Sequence, residues 1–160
     1  MRLLLDANAV LKRYVAEPGS DVVETIYRAA DAGRVQLVCS LWTLGECLGV
    51  LDRLDRQGRL PAGGLVKGRR ALLGESARLT RLGMLTVAPL GARLVRKAWG
   101  LLLRYHIYQA DAVQVATALV RKVDALVTAD GQVARAATAE GLRVLDPERQ
   151  GAEIAETLAA

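Results

Sequence analysis

The chain contains a single histidine, His106, and only two cysteines, Cys39 and Cys47. The cysteines stand eight residues apart, outside any C-x-x-C pair. A tetrahedral zinc site is therefore short of nitrogen and sulfur ligands unless Asp or Glu completes it. A Ser-His-Asp or Cys-His enzyme would rest on His106 alone. Haem and thiol-redox chemistry are equally poorly supplied. No stretch approaches the ~20 consecutive apolar residues of a membrane span. Asp6 interrupts the apolar start MRLLLDANAV too early for the core of a signal peptide. The expectation is a cytoplasmic protein with no membrane partner, whose plentiful reactive groups are carboxylates and arginines.

With 160 residues, 52% of them hydrophobic, the chain fits one folded domain rather than a disordered one. Its net charge of +5 is unevenly spread. Residues 53–104 carry 12 basic side chains and two acidic ones, Asp55 and Glu75, a local charge of +10. The remainder carries 10 basic and 15 acidic side chains, a charge of −5. A basic middle between acidic ends suits an anionic partner. Arginine used simply to solubilise the surface gives the same pattern. On a helix over 65–82, Lys67, Arg70, Arg78 and Arg81 share one stripe, and Leu65, Leu72 and Leu79 share another. Such a stripe can follow a phosphate backbone or face plain solvent.

Apolar runs alternate with helical patterns along the chain. Strands are expected at Arg2–Leu5, Val35–Cys39, Met84–Val87, Asp124–Thr128 and Leu142–Leu145. Helices are expected over Ala7–Ala16, from Ser20 towards Gly33, from the Ser40 cap to about Gln57, from Pro61 to Gly83, over 91–105, Asp111–Lys122 and Asp130–Glu140, with a weak one over 152–159. The strands are unbroken apolar runs, as in a parallel sheet covered on both faces. In such sheets ligands gather beyond the carboxyl ends of the strands.

Asp6 directly follows the first strand, and Asp130 lies two residues beyond the fourth. Asp111 opens a helix. Each of the three also reads as an ordinary N-cap. Glu46 is different. Its helical neighbours Trp42, Thr43, Gly49 and Val50 include no base, whereas Asp52 with Arg56 and Asp55 with Arg59 are plain i,i+4 pairs. Glu46 either faces water at the edge of an apolar face or takes a partner from elsewhere, and a metal ion is one such partner. Gathered carboxylates repel one another unless a cation joins them. Their hard oxygens suit Mg²⁺ or Mn²⁺, which share coordination with substrate phosphates.

The segments LLLDANAVLKRYVAEPGS, SLWTLGECLGVL, QADAVQVATAL and LVTADGQVARAATAEGLRVL, in that order and spacing, resemble the PIN-domain family. Within it they resemble the VapC-type toxins of type II toxin–antitoxin pairs. The resemblance spans roughly residues 2–147. It implies an α/β fold, a three-layer sandwich whose central parallel sheet of four to five strands is flanked by helices. The domain would cover 1–147, with 148–160 as a C-terminal tail. It implies a metal-dependent endoribonuclease with Asp6, Glu46, Asp111 and Asp130 as the catalytic and metal-binding quartet, and Asn8 and Thr128 as the groups that orient it. An ion-activated water would attack an RNA phosphodiester. The implied partners are Mg²⁺ or Mn²⁺, an RNA substrate, a small antitoxin and a second copy of the chain.

Candidate RNA contacts are Lys12, Arg13, Lys67, Arg70, Arg78, Arg81 and Arg104, with Tyr105, His106 and Tyr108 able either to stack on bases or to pack a helix end. Val10, Leu11, Tyr14 and Val15 offer an apolar surface for the antitoxin, or core packing instead. A haloacid dehalogenase-like phosphatase needs a second Asp where Asn8 stands. A receiver domain needs a paired acidic site after the first strand and a late lysine. The remaining alternative is a catalytically silent PIN-like module that binds RNA or protein.

Overall fold

The computed structural model describes residues 1–159. Five parallel strands form one sheet: β1 (Arg2–Leu5), β2 (Gln36–Ser40), β3 (Leu85–Ala88), β4 (Ala125–Val127) and β5 (Val144–Leu145), in the order β3-β2-β1-β4-β5. The helices are α1 (Ala7–Leu11), α2 (Ser20–Asp31), α3 (Leu41–Arg56), α4 (Gly64–Arg81), α5 (Ala92–Tyr105), α6 (Gln109–Arg121), α7 (Gly131–Ala139) and α8 (Gly151–Ala159). None of these helices is long and apolar enough to cross a membrane.

The three layers follow from the two-residue period of the strands. Leu3 and Leu5 point into one apolar core with α1, α2, α3, α4 and α8. Leu4, Val38 and Leu126 point into the other, formed with α5, α6 and α7. Both faces are covered, which is why the strands read as continuous apolar runs. Of the segment 148–160, expected as a tail, the described residues contribute α8, whose Ile154 and Leu158 are buried in the first core.

Three helix boundaries differ from the sequence reading. The first helix ends at Leu11 rather than Ala16. Beyond it Arg13 and Tyr14 donate to Val10 and Leu11, three residues back, and the chain tightens into turns. The basic helix begins at Gly64, three residues after Pro61. Gly63 caps it at φ +73°, a conformation glycine adopts without a Cβ penalty. The helix carrying Asp111 begins at Gln109, with Tyr108 at the N-cap position. Asp111 is therefore a first-turn residue, not a cap.

The strand order creates the crevice in which the acidic residues lie. The connection from β1 leads to β2 on one side, and that from β4 leads to β5 on the other. The outgoing chains diverge where β1 and β4 lie side by side. That is the switch point at which α/β sheets bind ligands.

Candidate active site

Asp6 ends β1 and caps α1. One carboxylate oxygen accepts from the Ala7 N–H at 2.7 Å. The other accepts from the Asn8 amide at 2.7 Å and the Thr128 hydroxyl at 2.8 Å. Asn8 reaches across the crevice as well, its carbonyl oxygen accepting from the Ala129 N–H at 2.9 Å. The Thr128 hydroxyl accepts in turn from the Asp130 N–H at 3.0 Å. Asn8 and Thr128 thus stitch the end of β1 to the end of β4 and fix the carboxylate between them. Asp130 caps α7 through the N–H groups of Gln132 and Val133, at 2.6 and 3.2 Å.

The other two carboxylates arrive on helices. Because α6 runs into the amino end of β4, its own first turn lies over the carboxyl edge, and Asp111 stands there. Because α3 leaves β2 at the carboxyl edge, Glu46 stands in its second turn. Glu46 does find its partner elsewhere in the chain: the Gln114 amide donates to it at 3.0 Å. Gln114 is fully buried, and its carbonyl oxygen accepts from the Thr43 hydroxyl at 2.9 Å. Sequence reading missed Gln114, Thr43 and Ser40 as site residues. The available signal was a lone amide within the apolar run Ala112–Ala118, three residues after Asp111.

Electrostatics join the four. Burial pushes the Asp6 carboxyl up to about 6 against the hydrogen bonds from Thr128 and Ala7, and the charges of Asp111 and Asp130 push the same way. Burial and then the charge of Asp6 push Glu46 up to about 7; Gln114 opposes this, and Asp111 adds to it. Asp111 is raised by burial and by the charge of Asp130. Among the described residues none of the four forms an ion pair with Lys or Arg. They are neighbours around one crevice rather than a preassembled cluster. Among the described residues no three acidic, histidine or cysteine side chains stand in the arrangement of a metal site. Two of the four, Asp6 and Asp130, turn an oxygen towards helix N–H groups. Hard oxygen donors with no basic counter-charge nonetheless fit a divalent cation better than any other ligand class.

The basic residues fare unevenly. Lys12 does not face RNA: it is 4% exposed, and its ammonium lies 2.6 Å from Glu148 and 3.5 Å from Glu17. Nor is Arg13 free, since it is paired with Glu75 and Glu24 and lies over the Tyr27 ring. Arg78 is tied to Asp31 and Glu75, and Arg104 to Glu140. Lys67, Arg70 and Arg81 are exposed and, among the described residues, form no ion pair, while Leu72 and Leu79 behind them are buried. The Tyr105 hydroxyl donates to Glu140 at 2.7 Å, whereas His106 and Tyr108 are exposed. Val10 and Leu11 are buried, and Tyr14 and Val15 pack against the same core, so this patch offers no free surface for an antitoxin.

The family model of the PIN domain matches residues 3–139. No curated protein matches the chain in sequence. Among solved structures, FitAcB from Neisseria gonorrhoeae superposes with a TM-score of 0.64 at 19% identity, covering 92% of this chain and 99% of that one. VapC20 from Mycobacterium tuberculosis, a sarcin–ricin-loop-cleaving toxin, gives 0.61 at 18% identity, over 84% of this chain and 94% of that one. VapBC2 from Rickettsia felis, bound to promoter DNA, gives 0.61 at 14% identity, over 91% and 98%. These likenesses establish a shared fold. The matched segment runs from β1 to the end of α7 and holds Asp6, Glu46, Asp111 and Asp130 at the switch point of the sheet, and the chain belongs to the PIN-domain family.

Proposed function

We propose that this protein is a divalent-metal-dependent endoribonuclease and the toxin of a toxin–antitoxin pair. The observation that carries the reading is a set of four carboxylates, from four separate elements, around one crevice with no basic counter-charge among the described residues. Asp6, Glu46 and Asp111 would hold Mg²⁺ or Mn²⁺, with Asp130 ligating directly or through water. The chemistry such an ion supplies is Lewis acidity: a water becomes acidic enough to attack at neutral pH, and charge building on the phosphate is offset. Thr128 and Asn8 keep Asp6 aimed by hydrogen bonds to one of its oxygens. Lys67, Arg70 and Arg81 would follow the RNA backbone.

Support for the toxin role comes from VapC20 and from a toxin–antitoxin complex of Klebsiella pneumoniae, which share the fold. The proposed partners are a small antitoxin and a second copy of the chain. Leu41 and Trp42 on α3, and Trp99 and Leu103 on α5, are 42–72% exposed and suit an apolar interface.

The test is cleavage of total RNA by the purified chain, with Mg²⁺ and with EDTA, beside Asp6→Asn. Mg²⁺-dependent cleavage that is lost in Asp6→Asn, with an unchanged circular dichroism spectrum, supports the enzyme. Mg²⁺ binding without cleavage of any RNA would make the chain a binding module instead.

A further inference from the structure

The four carboxylates do not explain a fully buried amide beside them. Gln114 is 0% exposed on α6, between the buried Ala112, Val113, Val115 and Ala116, and shares its helix face with Asp111 at i−3 and the buried Ala110, Thr117 and Ala118. Burying a primary amide among apolar groups is costly unless its donors and acceptor are all used. At this position an apolar side chain of the same size would fill the core at no such cost.

The hydrogen bonds around Gln114 have a direction. Ser40 and Thr43 form the capping box that opens α3. The Ser40 hydroxyl accepts the Thr43 N–H at 3.0 Å, and the Thr43 hydroxyl accepts the Ser40 N–H at 3.3 Å. The two hydroxyls also lie 2.9 Å apart, where either can donate to the other, and the Thr43 hydroxyl donates to Gln114 Oε1 at 2.9 Å. The Ser40 hydroxyl lies 3.4 Å from the same oxygen. The carbonyl end of the amide faces α3's cap, and the NH₂ end points the other way. It points at Glu46 Oε2, 3.0 Å off. A carbonyl there would set oxygen against oxygen; the N–H donates to the carboxylate instead.

We infer that Gln114 is a positioning residue, which the Ser40–Thr43 capping box holds so that its amide N–H keeps Glu46 aimed into the crevice for a divalent cation. The inference rests on the proposed metal-dependent function. One short motif therefore has two roles: it starts the helix that carries Glu46, and it orients the group that aims Glu46. Gln114 lies three residues after Asp111 on α6, so one face of that helix carries both Asp111 and the amide that meets Glu46.

The test measures Mn²⁺ affinity by electron paramagnetic resonance on the full chain, without RNA. The variants are Asp6→Asn, Gln114→Met, Thr43→Val, Glu46→Gln and the Gln114→Met/Glu46→Gln double variant. Thermal melting in EDTA checks each fold. Partners that orient a metal ligand are worth ~10–100-fold in affinity, so Gln114→Met is expected to weaken Mn²⁺ binding by that factor. Thr43→Val, which leaves Gln114 in place and does not touch Glu46, is expected to weaken it several-fold. In the Glu46→Gln background, Gln114→Met is expected to change nothing further. A purely structural role predicts the same loss in both backgrounds and would overturn the inference. So would Mn²⁺ affinity within twofold of wild type in both Gln114→Met and Thr43→Val. If wild type binds Mn²⁺ no better than Asp6→Asn, the proposed metal site itself fails, and this inference fails with it.

Discussion

Replacing Asp6 by asparagine should change the stability of the metal-free protein in opposite directions at high and low pH. In the folded chain the Asp6 carboxyl is raised from 3.8 to about 6, chiefly by burial. A raised carboxyl binds its proton more tightly folded than unfolded. Stability is therefore fully present below about pH 4 and is lost as pH rises through about 6. A shift of about two pH units corresponds to about 3 kcal/mol of lost stability above pH 7. Asparagine carries no charge and escapes that loss. It has one acceptor oxygen for the three hydrogen bonds that Asp6 receives from Ala7, Asn8 and Thr128. That mismatch costs about 1 kcal/mol. In EDTA at pH 8, Asp6→Asn should be about 2 kcal/mol more stable than wild type, a rise in Tm of about 4–8 °C for a chain of this size. At pH 4 it should be about 1 kcal/mol less stable. Melting curves by circular dichroism at the two pH values read both numbers. Adding Mn²⁺ at pH 8 should raise the Tm of wild type and leave Asp6→Asn unmoved. A variant less stable than wild type by the same amount at both pH values would refute the reasoning, because Asp6 would then carry no buried charge for a cation to relieve.

The salt dependence of RNA binding separates the free basic residues from the engaged ones. Each phosphate contact to a single strand contributes about 0.7 to the slope of log K against log salt. Replacing Lys67, Arg70 and Arg81 together by glutamine should flatten that slope by about 2, and Lys12→Met should leave it unchanged. Gly19 tests the packing of the loop after α1 on the segment after β5. Its φ is +81°, and a Cβ there would stand 2.7 Å from the Pro147 carbonyl oxygen. Gly19→Ala should cost about 2–3 kcal/mol in urea denaturation, against about 1 kcal/mol for Gly33→Ala, whose φ of +72° faces open space.

The sequence alone determined the layers and where Asp6, Glu46 and Asp130 stand along the elements. Strands of Leu, Val and Ala leave no polar face, so the sheet had to be covered on both sides, and alternation with helices made it parallel. Asp6 and Asp130 follow strands directly, so their place at the carboxyl edge needed only that topology. The isolation of Glu46 from every base on its own helix was legible for the same reason: it depends on i,i+3 and i,i+4 spacing alone. The tertiary structure decided what each side chain meets. Lys12 and Arg13 look like solvent-facing bases in sequence, but Glu148 and Glu75 lie 136 and 62 residues away, and those pairings draw them inward. Gln114 looks like a misplaced amide in a buried stretch of helix until α3 lies beside α6. Local spacing fixes which residues share a face of one element. Whether a charge or an amide is satisfied depends on groups that only the packing of distant elements brings within 3 Å or so.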